Sequence, residues 1–169
     1  MKNYFKKTKT GFSLIEILVV LFIVSVGLLG VVSLIIQNIQ VQSINRNKLI
    51  ASSLAQEGIE LIKQVRDDNW RAGRLPRTNL NPGSYAMDYR STVPVASASA
   101  SNLYLKDGYY VVNSGGESGL TSTIFSRQIS LETVAGFEGN PLQVKSIVSW
   151  TDHGRPYRYE LQTLLFDWR

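Results

Sequence analysis

Phe12 to Ile36 reads FSLIEILVVLFIVSVGLLGVVSLII, and its 20 residues from Ile17 to Ile36 carry no charge. Twenty helical residues reach about 30 Å, the thickness of a bilayer's hydrocarbon core. A helix buried in a soluble core would keep a polar stripe. This one interrupts its apolar side chains only with Ser25, Ser33 and the small Gly27 and Gly30. The stretch therefore reads as a membrane-spanning helix. Lys2, Lys6, Lys7 and Lys9 precede it and nothing comparable follows Ile36, which orients the N-terminus to the cytoplasm and the C-terminal bulk outside the inner membrane. The run is too long for a secretory h-region, and no small-residue cleavage site follows it. A retained anchor is expected.

Working outward, the whole chain has 169 residues, with 18 Lys and Arg against 13 Asp and Glu, a net charge of +5. The four leader lysines account for most of that excess. Residues 12–169 hold 14 basic and 13 acidic side chains, so the balance gives no reason to expect a nucleic-acid partner. The length allows one ordinary domain plus an appendage. With no Cys and a single His, thiol nucleophiles, disulfide frameworks and Cys- or His-pair metal sites are excluded. The expectation is of no catalytic, cofactor-binding or metal-binding residues, and of a protein that is not an enzyme.

Glu16 is the acid in the wrong place. A carboxylate costs roughly 2.5–3.5 kcal/mol at the centre of a spanning helix and less near its end. Either Glu16 reaches the interface, or it meets a cation supplied in an assembly. Gly11-Phe12-Ser13-Leu14-Ile15-Glu16, behind a lysine-rich leader and ahead of an apolar helix, resembles the type IV prepilin signal. The resemblance implies that a prepilin peptidase cuts after Gly11, that the new amino group of Phe12 is methylated, and that Glu16 meets the N-terminal amine of a neighbouring subunit during assembly. A glycine at the cut lets the chain bend in an enzyme cleft. A buried charge pair is worth much only when both partners are present, so Glu16 would act as a register device. The stretch SVGLLGVVSL, Ser25 to Leu34, is similar to minor pilins of the type IV pilus modification kind. Gly27 and Gly30 share a face that permits close helix approach. The mid-helix proline of many major pilins is absent.

Beyond Ile36 the composition turns polar, but the helical period continues. Ile44, Ala51, Leu54, Ala55, Gly58, Leu61, Ile62 and Val65 step by three, four or seven, one face of an amphipathic helix. Glu60–Gln64 and Lys63–Asp67 stand at i,i+4 spacing. No Pro interrupts residues 12–75, so one helix is expected from about Ser13 to about Asn69, about 85 Å at 1.5 Å per residue. Its outer half is the spine of a head domain.

The remainder reads as β structure. Residues 71–83 (RAGRLPRTNLNPG) read as a loop, and Val95–Ser101 (VASASAS) as a small-residue connector. Leu103–Leu105 and Tyr109–Asn113 flank a Gly-containing turn. SGGESG at 114–119 lacks the ending of a phosphate loop. Thr121–Val134 alternates, with Ile124, Ser126, Gln128, Ser130 and Glu132 on one face and Phe125, Arg127, Ile129, Leu131 and Thr133 on the other, so both faces are mixed. Leu142–Thr151 and Tyr157–Phe166 form the clearest hairpin around Asp152–Pro156. The first has Leu142, Val144, Ser146, Val148 and Trp150 on one face, and the second has Tyr157, Tyr159, Leu161, Thr163 and Leu165 on one face and Arg158, Glu160 and Gln162 on the other. About four or five antiparallel strands suffice to pack against the helix. Trp150-Thr151-Asp152-His153-Gly154 and the terminal Asp167-Trp168-Arg169 are similar to the tail of minor pilins and pseudopilins. His153 reads as a solvated turn residue, and no EF-type spacing supports calcium. Arg66, Arg71, Arg74 and Arg77 cluster near the helix end, beside Asp67 and Asp68. They could touch phosphates or simply line a solvated loop.

The expected class is α+β and pilin-like, a long N-terminal helix packed on an antiparallel sheet. The expected divisions are a leader at 1–11, a transmembrane and assembly segment at 12–36, an amphipathic segment at 37–70 and a β head at 71–169. The implied partners are the prepilin peptidase, other pilin subunits through their N-terminal helices, the inner-membrane assembly platform and the membrane. The expected role is a minor pilin in a type IV pilus. The alternatives are a minor pseudopilin of a type II secretion system, a DNA-binding competence subunit, and an uncleaved bitopic membrane protein or membrane-tethered enzyme.

Overall fold

The computed structural model describes residues 11–113, 115–136 and 139–166. The leader lysines and the terminal Asp167-Trp168-Arg169 lie outside the described residues. The chain divides into two units, one ending at Ser43 and one running from Ile44. A single helix, α1, covers Leu14–Arg71. It starts where the Ser13 carbonyl accepts the Glu16 and Ile17 amides at 3.0 and 3.3 Å. It stops in a Schellman motif. Gly73 sits at φ 69°, its amide donates to the Trp70 carbonyl at 2.9 Å, and the Arg74 amide donates to the Asn69 carbonyl at 2.9 Å. Asn69 is buried. Its side-chain amide donates to the Thr78 carbonyl at 2.7 Å, so the helix end also organises the loop that follows.

In the second unit the helix buries one face. Ala51, Leu54, Ala55, Gly58, Leu61, Ile62 and Val65 are buried as their spacing requires, and Ile59 joins them. Ile44 is only half-buried. On the polar side Lys63 pairs with Glu60 at 2.9 Å, three residues away. Asp67 takes Arg66 at 2.8 Å rather than Lys63.

The sheet has seven antiparallel strands, against the four or five expected. They are β1 (Gly83–Ala86), β2 (Val95–Ala96), β3 (Ser101–Lys106), β4 (Tyr109–Val112), β5 (Thr121–Thr133), β6 (Leu142–Asp152) and β7 (Arg155–Leu165). The additions are β1, which begins at the last residue of the segment read as a loop, and β2, which lies inside the segment read as a connector. Neither carries a strong strand signal. β1 forms by pairing with Ile129–Leu131 of β5, and β2 by pairing with β1.

β5 is the hub. One edge pairs with β6, which pairs with β7. The other edge pairs with β1 over Ile129–Leu131 and with β3 over Thr121–Arg127. The β3–β5 register shifts between Asn102 and Tyr104. There the Thr123 hydroxyl donates to the Leu103 carbonyl at 2.6 Å and accepts the Phe125 amide at 3.2 Å, filling the irregularity. Asp107-Gly108 and His153-Gly154 have positive φ at both residues, the two-residue turns that match strand twist.

The inward parities of β5, β6 and β7 follow the sequence alternation. They form two buried clusters with the helix. Ile59, Ile62 and Val65 meet Ile129, Leu131, Val144 and Leu165. Ala51, Leu54 and Ala55 meet Leu103, Phe125, Val148 and Trp150. Between them the backbones come close at Gly58, where a Cβ would collide with the Ser146 hydroxyl and crowd Arg127 Cδ.

Arg127 is 2% exposed. Its Nη1 donates to the Leu54 carbonyl at 2.8 Å, and its Nη2 to the Met87 carbonyl at 2.6 Å. The Glu57 carboxylate stands 3.4 Å away. One guanidinium thus joins the helix, β5 and the chain leaving β1. Arg127→Met is expected to destabilise the chain by about 3 kcal/mol, because hydrogen bonds from a charged group are lost and a buried carbonyl is left without a donor. Arg127→Lys keeps the charge but lacks the fork that reaches two carbonyls, so it should recover less than half. Urea unfolding of the detergent-solubilised full chain measures both.

Candidate functional site: the N-terminal signal and its helix

The three sequence-singled residues sit together at the start of α1. Gly11 has open space around its Cα, with nothing within 4 Å of where a Cβ would lie. Phe12 is 79% exposed. Glu16 lies in the first helical turn and is exposed, where the positive end of the helix dipole favours an acid. Among the described residues, no side chain pairs with its carboxylate.

From Leu14 to Ile36 every large apolar side chain is exposed. The apolar window has a mean hydropathy of 3.0, and none of it is buried within the chain. A core helix would be covered, so the buried-core reading does not describe this segment. By length and composition it can cross a membrane. Its polar atoms are managed locally, since the Ser25 hydroxyl donates to the Leu21 carbonyl at 2.7 Å. Gly27 and Gly30 meet no atom that a Cβ would touch, so nothing inside the chain requires them to be small.

Residues 6–32 match the family model of the prokaryotic N-terminal methylation motif. This chain carries the type IV prepilin signal. The signal implies processing by a prepilin peptidase and assembly with other pilins, and with the apolar helix it is consistent with inner-membrane anchoring. The long N-terminal helix and antiparallel sheet complete a pilin-like α+β arrangement. No curated protein and no solved structure matches the chain.

Beyond the prepilin signal, several charged groups of the second unit are engaged by local partners. Arg66 holds Asp67, Arg71 stands 3.4 Å from Asp68, Arg74 donates to the Asn69 side-chain oxygen at 3.1 Å, and Arg77 donates to the Asn140 carbonyl at 2.7 Å. The arginine cluster is thus engaged in closing the helix end and its loop. His153 is an exposed turn residue with Nδ1 2.7 Å from Asp152, whose other oxygen accepts the Asn47 side-chain amide at 3.1 Å. Among the described residues, no three His, Asp or Glu side chains converge as metal ligands.

Sequence reading passed over one cluster entirely. Asp88 is buried and accepts the Val112 amide at 2.9 Å, the Arg90 amide at 3.0 Å and Arg90 Nη2 at 2.7 Å. Arg90 Nη1 continues to Glu117 at 2.8 Å, and Lys106 stands 3.3 Å from the same carboxylate. This clasp fastens residues 88–91 to β4 and to the loop beyond it. Burial pushes the Asp88 carboxyl up, but its hydrogen bonds from Arg90 and Val112 outweigh that and hold it below the ordinary carboxylate value. Glu117 is also held low, first by the Arg90 hydrogen bond.

A carboxylate with a depressed folded pKa contributes stability that is complete above its unfolded value, about 3.9 for Asp, and is lost as pH falls through the lower folded value. Unfolding midpoints measured from pH 7 to pH 2 should therefore stay level until about pH 4 and then drop. Asp88→Asn should weaken the fold at neutral pH by about 1–3 kcal/mol and flatten the acid limb. An unchanged acid limb in that variant would remove Asp88 from the account.

Proposed function

We propose that this chain is a minor pilin of a type IV pilus, a structural subunit and not a catalyst. It is cut after Gly11 and methylated at Phe12. Residues 12–36 hold it in the inner membrane, N-terminus in the cytoplasm, until the helix is extracted into a fibre. The observation that supports this reading is the conjunction of the prepilin signal with a 58-residue helix whose apolar window has no cover in its own chain. Such a surface needs lipid or other helices around it. Repeating one heterologous contact that does not close generates an open helical filament. The Gly27/Gly30 face permits the close helix approach that such a bundle needs.

Mass spectrometry of the mature protein, from cells with active prepilin peptidase, is expected to give the mass of residues 12–169 plus one methyl group. Retention of residues 1–11 would overturn the reading. Within it, Glu16 compensates the new amine of a neighbouring subunit. Glu16→Ala should then insert normally and keep the unfolding midpoint of the wild type, yet enter fibres about tenfold less, the equivalent of about 1.4 kcal/mol. The ratio of sheared-fibre to membrane protein reads this, and a ratio equal to wild type would remove the pairing role.

A further inference from the structure

We propose that the cleft at the branch of the sheet binds a neutral sugar unit. β1–β2 and β3–β4 leave the same edge of β5 as two separate arms. Ala86 of β1, Val95 and Ala96 of β2, Ser101 of β3 and Val112 of β4 line the opening between them, a cleft of about 340 Å³. That is at the small end of ligand pockets, roughly 300–1,000 Å³.

The lining chemistry selects the ligand. Among the described residues its one carboxylate is Asp88, and Arg90, the Val112 amide and the Ser91 hydroxyl already occupy that group. A cationic ligand would have to displace Arg90. An anion would face a carboxylate with no uncommitted cation in the lining. The ligand is therefore uncharged. The other polar groups are Ser91, Ser97, Ser101 and Asn113. The Ser97 hydroxyl donates to the Ser99 carbonyl at 2.8 Å and lies 3.4 Å from the Ser101 hydroxyl. Each hydroxyl has two acceptor lone pairs and one donor, so capacity remains for a ligand. Asn113 accepts the Gly115 amide with its side-chain oxygen at 2.8 Å, which leaves its NH₂ as donor. Alternating hydroxyl and amide groups with small apolar side chains suit a pyranose, which carries hydroxyls around its rim and C–H groups on its faces.

A second observation comes from the margin. Tyr89 follows Asp88 directly, and it packs against Tyr109 with ring centroids 5.3 Å apart. The two remain 52% and 61% exposed. Neither ring lines the cleft itself, but the exposed pair starts one residue from Asp88, which does, and offers a face to the C–H groups of a further sugar, so an oligosaccharide should exceed a single residue in affinity. The clasp from Asp88 through Arg90 to Glu117 holds this margin in place before binding, which lowers the ordering cost.

The test uses the full chain in lauryldimethylamine oxide, whose headgroup contains no sugar. Saturation-transfer NMR is run with the methyl glycosides of glucose, galactose, mannose and N-acetylglucosamine, with maltose, cellobiose and lactose, and with glucose 6-phosphate and N-acetylneuraminic acid as charged probes. At least one neutral sugar is expected to bind with a Kd in the millimolar range, about 1 mM, and neither charged probe should bind more tightly. Ala96→Phe, which fills the cleft from an exposed strand position, should weaken binding at least about tenfold, and Tyr109→Ala should weaken a disaccharide more than a monosaccharide. If Ala96→Phe fails to fold, Asn113→Ala takes its place, with a loss of about fivefold for one hydrogen bond. Absence of saturation transfer from every neutral sugar, tighter binding of a charged probe, or wild-type affinity in the cleft variant would each overturn the proposal. The cleft lies wholly within the unit from Ile44, so this result stands or falls apart from the N-terminal processing.

Discussion

The second unit depends on one close approach, helix against sheet at Gly58. Removing a side chain there lets the helix backbone come down onto Ser146 of β6 and lets Arg127 of β5 reach past it to the Leu54 carbonyl. A buried guanidinium is tolerated only when most of its donors are engaged and a counter-charge is near. Leu54 and Glu57 of the helix and Met87 beyond β1 meet that demand, so the partners come from two places far apart in the chain. The apolar clusters on either side supply the bulk of the burial, which is non-directional. Arg127 supplies direction, because its planar fork accepts only one register of helix over strand.

The same helix continues into surroundings of another kind. Up to Ile36 its apolar side chains have no cover in their own chain, while from Ala51 its apolar face is sealed against the sheet. The absence of a proline lets one element carry both roles without a break. The chain therefore leaves its first unit unsatisfied as a monomer in water. The prepilin signal overlaps this same uncovered helix, whose apolar surface needs cover from outside its own chain.

Much of the second unit was legible in the sequence because strand parity is strict. A period of two groups Leu142 to Trp150 on one face of its strand and Phe125 to Leu131 on one face of another without reference to the rest of the chain. Asp107-Gly108 and His153-Gly154 announce their turns by composition. Parity grouped Arg127 with Phe125, Ile129 and Leu131, but both faces of that strand are mixed, so which one turns inward and what Arg127 touches were decided by the tertiary structure. β1 and β2 were illegible for a different reason. Gly83–Ala86 and Val95–Ala96 have too little β-forming or apolar character to declare themselves, and exist as strands only because β5 offers an edge. The Asp88 clasp escaped because its members lie at 88, 90, 106, 112 and 117, with no spacing that sequence can register.

The sequence by itself determined the signal, the uncharged run and the helical period behind it, since each is local: charge, apolar length and side-chain spacing act within a few turns of one element. It also determined the antiparallel hairpins, through parity and turn chemistry. Only the tertiary structure decided that β5 carries two arms on one edge, that a cleft opens between them, and that a single arginine locks the helix to the sheet. Those features join residues far apart in the chain, and contacts of that kind arise from which surfaces can be buried together, not from any pattern one segment carries alone.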